Sequence, residues 1–277
     1  MGVSPPFRSS QTLILLKAGP GVKYHPAPRK GEAVADLKGA VIEFPANGRK
    51  VRGYLSKPES GSGRLRGATA SLTEAQGAKA GPGVLVIQEW WGLVEHIKRV
   101  SDRIAASGYV ALAPDLYHGE ATQSPDEAGK LMMALEIEET EKDLRGASTY
   151  LLSQSSGKKL GAVGFCMGGQ LALYAASKNE AIRACVDFYG IHPNVKPDYR
   201  RIEAAVLGLF AEKDAYVTPQ VVRKLEADLK AAGVETDFTI YPGCDHAFFN
   251  DTRKGVHDVA AAADAWRRVQ EFLETHL

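Results

Sequence analysis

The 277-residue sequence holds only three cysteines, Cys166, Cys185 and Cys244, far apart and without a C-x-x-C pair. Disulfide frameworks and zinc sites are therefore poor readings, and a reducing compartment, the cytoplasm, fits separate thiols best. Long apolar runs are also missing: nothing approaches the roughly 18 consecutive apolar residues of a membrane span. The N-terminal candidate, Leu13 to Leu16, is too short for the apolar region of a signal peptide. Net charge is nearly absent, 34 Lys+Arg against 33 Asp+Glu, so no field recruits nucleic acid or another polyanion. The sequence contains no G-x-G-x-x-G or Walker A run, which removes the common nucleotide-binding motifs. No repeat recurs at solenoid periods.

What is present is ordinary globular composition, 44% hydrophobic and 24% charged, and a length that suits one α/β domain of about 250 residues with a sizeable core. Residues 1–36 read as an irregular arm. They are basic, with no acid before Glu32, as transit peptides are, but Pro5, Pro6, Pro20, Pro26 and Pro28 spoil the amphipathic helix that such peptides form. From residue 37 to 277 short apolar runs alternate with helical ones. Runs 40–44 and 51–55 predict a hairpin across Pro45-Ala46-Asn47-Gly48. Residues 58–83, rich in Gly, Ser and Ala, predict a long loop. Further strands are expected at 84–88, 109–113, 160–165, 184–189, 206–211 and 236–241. Helices are expected with Leu93, Ile97, Val100 and Ile104 on one face, twice within 125–154, and over 168–178, 219–232 and 256–275. The last carries Val259, Ala263, Trp266, Val269 and Leu273 as its apolar stripe. Apolar strands alternating with helices predict a three-layer α/β sandwich around a mostly parallel sheet.

The sharpest local signal is Gly164-Phe165-Cys166-Met167-Gly168-Gly169, between a strand and a helix. It is the G-x-nucleophile-x-G elbow with cysteine in the nucleophile's place. The tight turn needs small flanking residues, the helix N-terminus favours a thiolate, and the N–H of Met167 points where an oxyanion would form. A buried cysteine at a glycine-rich helix start is the plainer alternative. An acid and a histidine should follow in chain order, and Asp214 and His246 do, each just past an apolar strand. Singly, Asp214 could be a helix N-terminal acid and Asp245 a nearer neighbour of His246; order and strand-end position favour Asp214. His96 and His257 fall in expected helices, and His118, after Pro114-Asp115-Leu116-Tyr117, is at most a pocket wall.

With these residues in hand, the chain from about residue 37 onward resembles the dienelactone hydrolase family of α/β-hydrolases. The resemblance rests on Gln88-Glu89-Trp90-Trp91-Gly92, Pro114-Asp115-Leu116-Tyr117, the cysteine elbow, Lys213-Asp214 with Pro219, and Gly243-Cys244-Asp245-His246-Ala247-Phe248. It implies a Cys166, His246, Asp214 triad. It implies that Glu89 contacts the resting thiol and later takes its proton, and that the N–H groups of Trp90 and Met167 form the oxyanion hole. Trp91, Tyr117, His118, Phe248 and Asn250 are the candidate pocket residues. An ordinary salt bridge with Lys98 or Arg99 is the alternative reading of Glu89. The sequence departs from dienelactone-cleaving members at Asn250, where they carry an arginine for the substrate carboxylate. It departs again at 124–130, which offers Asp126, Glu127 and Lys130 but no arginine, so an anionic lactone loses its counter-charge. The expected activity is cysteine-dependent hydrolysis of small esters or lactones through a thioester, with no metal or organic cofactor and no nucleic-acid or membrane partner. The rival is a non-catalytic binding or redox-sensing protein that keeps a reactive Cys166.

Overall fold

A computed structural model describes residues 37–58 and 81–277; the expected arm and nearly all of the 58–83 loop lie outside the described residues. Eight strands form one sheet: β1 (Ala40–Ala46), β2 (Arg49–Ser56), β3 (Gly83–Ile87), β4 (Val110–Pro114), β5 (Leu160–Phe165), β6 (Ile182–Phe188), β7 (Ala205–Ala211) and β8 (Thr236–Tyr241). Their spatial order is β1-β2-β4-β3-β5-β6-β7-β8. β1 pairs antiparallel with β2, and β2 antiparallel with β4; from β4 to β8 every pairing is parallel. The sequence explains the division. β3, β5 and β7 are apolar along their length and buried at every position, as a strand covered on both faces requires. β1 and β2 mix buried with exposed positions at the sheet's edge, and the turn between them places Asn47 and Gly48 at positive φ, the signature of a tight hairpin.

Helices cover both faces. On one, Ile97, Val100 and Ile104 of α1 (Glu95–Ala106) and Ala265, Val269 and Leu273 of α6 (Val259–His276) pack in a single core with Val84, Val163 and Leu207. On the other, α2 (Pro125–Ala134), α3 (Ile137–Gln154), α4 (Met167–Lys178) and α5 (Pro219–Ala231) bury residues such as Met132, Leu151, Leu171 and Leu229 against Leu85, Ala162 and Val206. α5 begins where Pro219 suggested, with Thr218 accepting from the N–H of Val221.

Two sequence expectations need correction. The stripe of α6 is rotated at its start: Val259 is 73% exposed and Ala263 is exposed, whereas Ala261, Ala262 and Ala265 face the sheet. The helix starts at the Asp258 cap, which accepts from Ala261, so His257 precedes it rather than lying in it. Capping fixed the phase, and the Ala-rich first turn carried too little hydrophobic contrast for periodicity to reveal it.

Parallel pairing aligns the carboxyl ends of β3 to β8 on one rim. Of the five described non-glycine residues with positive φ, His118, Cys166, Tyr189 and Ala247 all lie just past strands of that rim. Such conformations cost on the order of 1–3 kcal/mol each and gather where a structure holds side chains for use.

The tightest approach beneath the rim tests this packing. A Cβ at Gly168 would stand 2.4 Å from the carbonyl oxygen of Ile87 and 2.5 Å from that of Gln88, both backbone atoms. Gly168→Ala should lower unfolding free energy in urea by on the order of 1–3 kcal/mol or more. Gly255→Ala, which meets nothing within 4 Å, should leave it within about 0.5 kcal/mol; equal effects would refute the close approach.

Candidate active site

Cys166 sits between β5 and α4 with φ 54° and ψ −122°. Its N–H donates to the Phe188 carbonyl at 3.0 Å, and its own carbonyl accepts from Gly169 at 2.9 Å and Ile191 at 3.1 Å. The neighbouring strand therefore grips the turn on both sides. Gly164 is required because a Cβ there would stand 1.9 Å from the carbonyl oxygen of Gly168. The consequence is a thiol at the first turn of a helix, 7% exposed. Met167 is the first residue of α4, so its N–H lacks an intrahelical acceptor.

His246 follows β8, and its imidazole is under the electrostatic influence of Cys166. Its Nδ1 donates at 2.6 Å to Oδ2 of Asp214. Oδ1 of Asp214 accepts from the N–H groups of Tyr216 at 2.8 Å and Val217 at 2.9 Å, so both oxygens of this buried carboxylate are engaged. Asp245 is exposed, and Asp214, not its neighbour in sequence, is the histidine's partner. Burial pulls the proton affinity of His246 down, but Cys166 and Asp214 outweigh it and push its pKa up to about 10. Burial likewise disfavours the charged form of Asp214, and the imidazole and the two backbone donors overcome this to hold its pKa low.

Glu89 follows β3 and is 1% exposed. Arg99 pairs instead with Glu95 and Asp251, so it is not the cation for this carboxylate. Where the resemblance implies a contact with the resting thiol, the Glu89 hydrogen bond runs to Asn250: Oε2 accepts from Nδ2 at 2.6 Å. The amide is oriented by Thr252, whose N–H and hydroxyl donate to Oδ1 at 3.0 and 2.6 Å. Asn250 is thus a buried tether of Glu89 rather than pocket lining. Trp90 lies in the turn closed by the Gly92 N–H on the Glu89 carbonyl, which leaves its own N–H outside that bond.

The other sequence candidates divide. Trp91 packs edge-on to Trp90 at 5.0 Å between centroids, and the Tyr117 hydroxyl meets Met167 Sδ at 3.1 Å, which places Tyr117 against the elbow. Phe248 is fully buried against Tyr189 and Tyr241, a core position behind His246. The His118 ring is drawn toward the hairpin, with Nε2 3.0 Å from Arg49 Nη2 and 3.3 Å from the buried Asp143. It corrects the pocket-wall expectation, because the ring belongs to the polar cluster that Arg49 and the buried Asp143 form beneath the hairpin. Lys130 is exposed on α2.

Sequence reading missed three residues. Tyr189 and Tyr216 flank the imidazole, with ring centroids 5.0 and 5.4 Å from it. Arg253 places its guanidinium 5.9 Å from the Trp91 ring centroid and acts electrostatically on the Tyr189 hydroxyl. Only Tyr189 left a local trace, in the small residue Gly190 that follows a strand end; the rest depends on how loops fold back.

A family model described as the dienelactone hydrolase family matches residues 68–277. Protein usf of Aquifex pyrophilus is 37% identical over 248 residues, covering 86% of this chain and 99% of that protein. A protein of Aquifex aeolicus named as a candidate carboxymethylenebutenolidase is 34% identical with the same coverage. A solved candidate dienelactone hydrolase from Klebsiella pneumoniae has a TM-score of 0.73 at 26% identity, over 86% of this chain and 98% of that one. Sheet order, helix placement and these likenesses give an α/β-hydrolase fold.

The three thiols should separate by reactivity. Burial pushes Cys185 well above its ordinary pKa and raises Cys244 as well, whereas Cys166 faces His246. In the native protein, iodoacetamide should modify Cys166 first and leave Cys185 intact until urea unfolds the chain, as peptide mass mapping would read. Early labelling of Cys185 would contradict the burial of β6.

Proposed function

Since the chain belongs to the dienelactone hydrolase family, a family of ester and lactone hydrolases, we propose that it cleaves these bonds with Cys166 as nucleophile and a thioester as intermediate. The observation that carries this reading is an elbow cysteine that acts on His246, whose ring is held in turn by Asp214 at 2.6 Å. The catalytic domain is taken from residue 37, leaving 1–36 as an arm without an assigned role. Three free, buried cysteines support a reducing compartment such as the cytoplasm.

The chain's own groups supply each step. Entering substrate frees Glu89 from Asn250; the S–H bond breaks, the proton passes to the carboxylate, and sulfur attacks the carbonyl carbon. The N–H groups of Trp90 and Met167 receive the developing oxyanion. Collapse breaks the carbon–oxygen bond, and the leaving alkoxide takes a proton from His246. Neutral imidazole then draws a proton from water as it attacks the thioester, with Asp214 holding the ring in orientation. The restored thiolate recovers its proton from Glu89. A thiolate departs from a tetrahedral intermediate more readily than an amine does, so esters and enol lactones are favoured over amides.

Arg253 alters one sequence expectation. The cation absent at position 250 is supplied three residues later, from the turn in which the Arg253 N–H donates to the Asn250 carbonyl at 3.0 Å. A guanidinium beside Trp91 suits a substrate carboxylate.

Cys166→Ala should reduce turnover of p-nitrophenyl acetate to the uncatalysed rate, while Cys185→Ala and Cys244→Ala retain most of it. Acid-quenched wild-type protein should carry one acyl group on the Cys166 peptide. One equivalent of product without further turnover would favour a thiol-reactive binding protein. Arg253→Gln should lower kcat/KM for carboxylate-bearing lactones about 10-fold or more relative to neutral esters; parallel losses would remove Arg253 from substrate recognition.

A further inference from the structure

Tyr189 is strained and incompletely satisfied at the centre of the site. It follows β6 with φ 42°, held there by its N–H on the Leu209 carbonyl at 3.0 Å. The ring is wholly buried, with His246, Phe248 and Phe188 at centroid distances of 5.0, 5.6 and 5.9 Å. Yet its hydroxyl, in the same enclosed space, has no hydrogen-bond partner among the described residues. A buried donor left unmet carries its whole desolvation cost. A left-handed backbone in an aromatic residue adds strain. Burial and then the charges of Glu89 and Cys166 drive the phenol's pKa well above its ordinary value, so it stays a donor. Of the charged groups acting on it, Glu89 weighs most.

The proposed acylation step makes a demand that this hydroxyl meets. Glu89 is a buried carboxylate whose observed donor is Asn250, and to reach the thiol it must leave that amide. Departure without a replacement donor would strand a charge in an apolar enclosure. Three other buried donors are unmet among the described residues, Gln88 Nε2, His96 Nε2 and the Thr236 hydroxyl, the last at the amino end of β8, away from this rim. The Gln88 side chain is held at the start of another loop, by the N–H of Leu116 at 3.2 Å. His96 is drawn to Asp251 at 3.2 Å and wedged against Phe165 and Phe249.

We infer that Tyr189 is the second station of the Glu89 gate: its hydroxyl donates to the carboxylate once that group has swung from Asn250 toward Cys166. In the step itself the S–H bond breaks, an O–H bond forms on one Glu89 oxygen, and sulfur keeps the electron pair. The other Glu89 oxygen accepts from Tyr189 throughout. Tyr189 is therefore a positioning residue. It exchanges no proton, and it makes the swing an exchange of one donor for another. The inference rests on Glu89 being the acceptor of the thiol proton.

The test is Tyr189→Phe, which deletes only the hydroxyl, with Glu89→Gln and the double variant alongside. Rapid-quench measurement with p-nitrophenyl acetate gives acylation and deacylation rates separately. Tyr189→Phe should slow acylation on the order of 10- to 100-fold, the range of a hydrogen bond to a charged group, and leave deacylation unchanged. Its urea midpoint should equal or exceed the wild type's, because no resting bond is lost. In the Glu89→Gln background it should slow acylation no further. A lowered midpoint, an unchanged acylation rate, or an additional loss in the Glu89→Gln background would each overturn the inference. Unchanged acylation in Glu89→Gln alone would instead show that the underlying reading of Glu89 had failed, and the inference with it.

Discussion

The backbone of Cys166 cannot adopt φ 54° on a tight strand-to-helix turn unless the chain around it has no side chains to collide, and most of the site follows from that requirement. Gly164 and Gly168 stand within 1.9 Å and 2.4 Å, at their would-be Cβ positions, of neighbouring backbone oxygens. The turn is then clamped by β6, which receives the Cys166 N–H on Phe188 and returns the N–H of Ile191 to the Cys166 carbonyl. Strain at one residue is thus balanced by hydrogen bonds from a strand packed rigidly on both faces. The same clamp bears on the strained strand end beside it: Tyr189, with Gly190, lies between the two clamping contacts at Phe188 and Ile191. The position of the nucleophile and that of the aromatic wall beside His246 are set together.

The two buried carboxylates at this rim are stabilised to very different degrees. Asp214 receives two backbone N–H groups and the imidazole, an arrangement that fixes it and lets it act only by orienting His246. Glu89 receives a side-chain amide. A carboxylate tethered by a neutral, single hydrogen bond is easier to displace than one held in an ion pair, since leaving the tether separates no opposite charges. Asn250 thus holds Glu89 by a neutral hydrogen bond, and under the proposed function the cation for a substrate carboxylate is Arg253, beside Trp91.

Legibility in the sequence followed the range of the interaction. The elbow, the strand order of nucleophile, acid and histidine, and the alternation that builds the sheet are local patterns, and the geometry of Cys166, His246 and Asp214 agrees with them. Asp214 over Asp245 was readable because strand-end position, not sequence proximity, decides which carboxylate meets the ring. The bond from Asn250 to Glu89 spans 161 positions, and nothing near either residue announces it. His118 was misread for a related reason: its loop lies at the rim, but the buried Asp143 of α3 turns the ring away from the elbow. The rotated stripe of α6 shows the limit of periodicity where alanines dominate and a cap decides the phase.

Placement of the loop after His246 ties these features into one unit. Asn250 tethers Glu89, the next residue, Asp251, pairs with His96 and Arg99 of α1, Thr252 orients the Asn250 amide, and Arg253 closes the turn beside Trp91. Four successive residues therefore address a helix, a buried base, the base's tether and the pocket wall. A substrate carboxylate drawn to Arg253 would pull on the turn that begins at Asn250, the residue that restrains Glu89. Under the proposed function, the residue that would meet a substrate carboxylate and the residue that tethers Glu89 are joined by a single turn of chain and one backbone hydrogen bond.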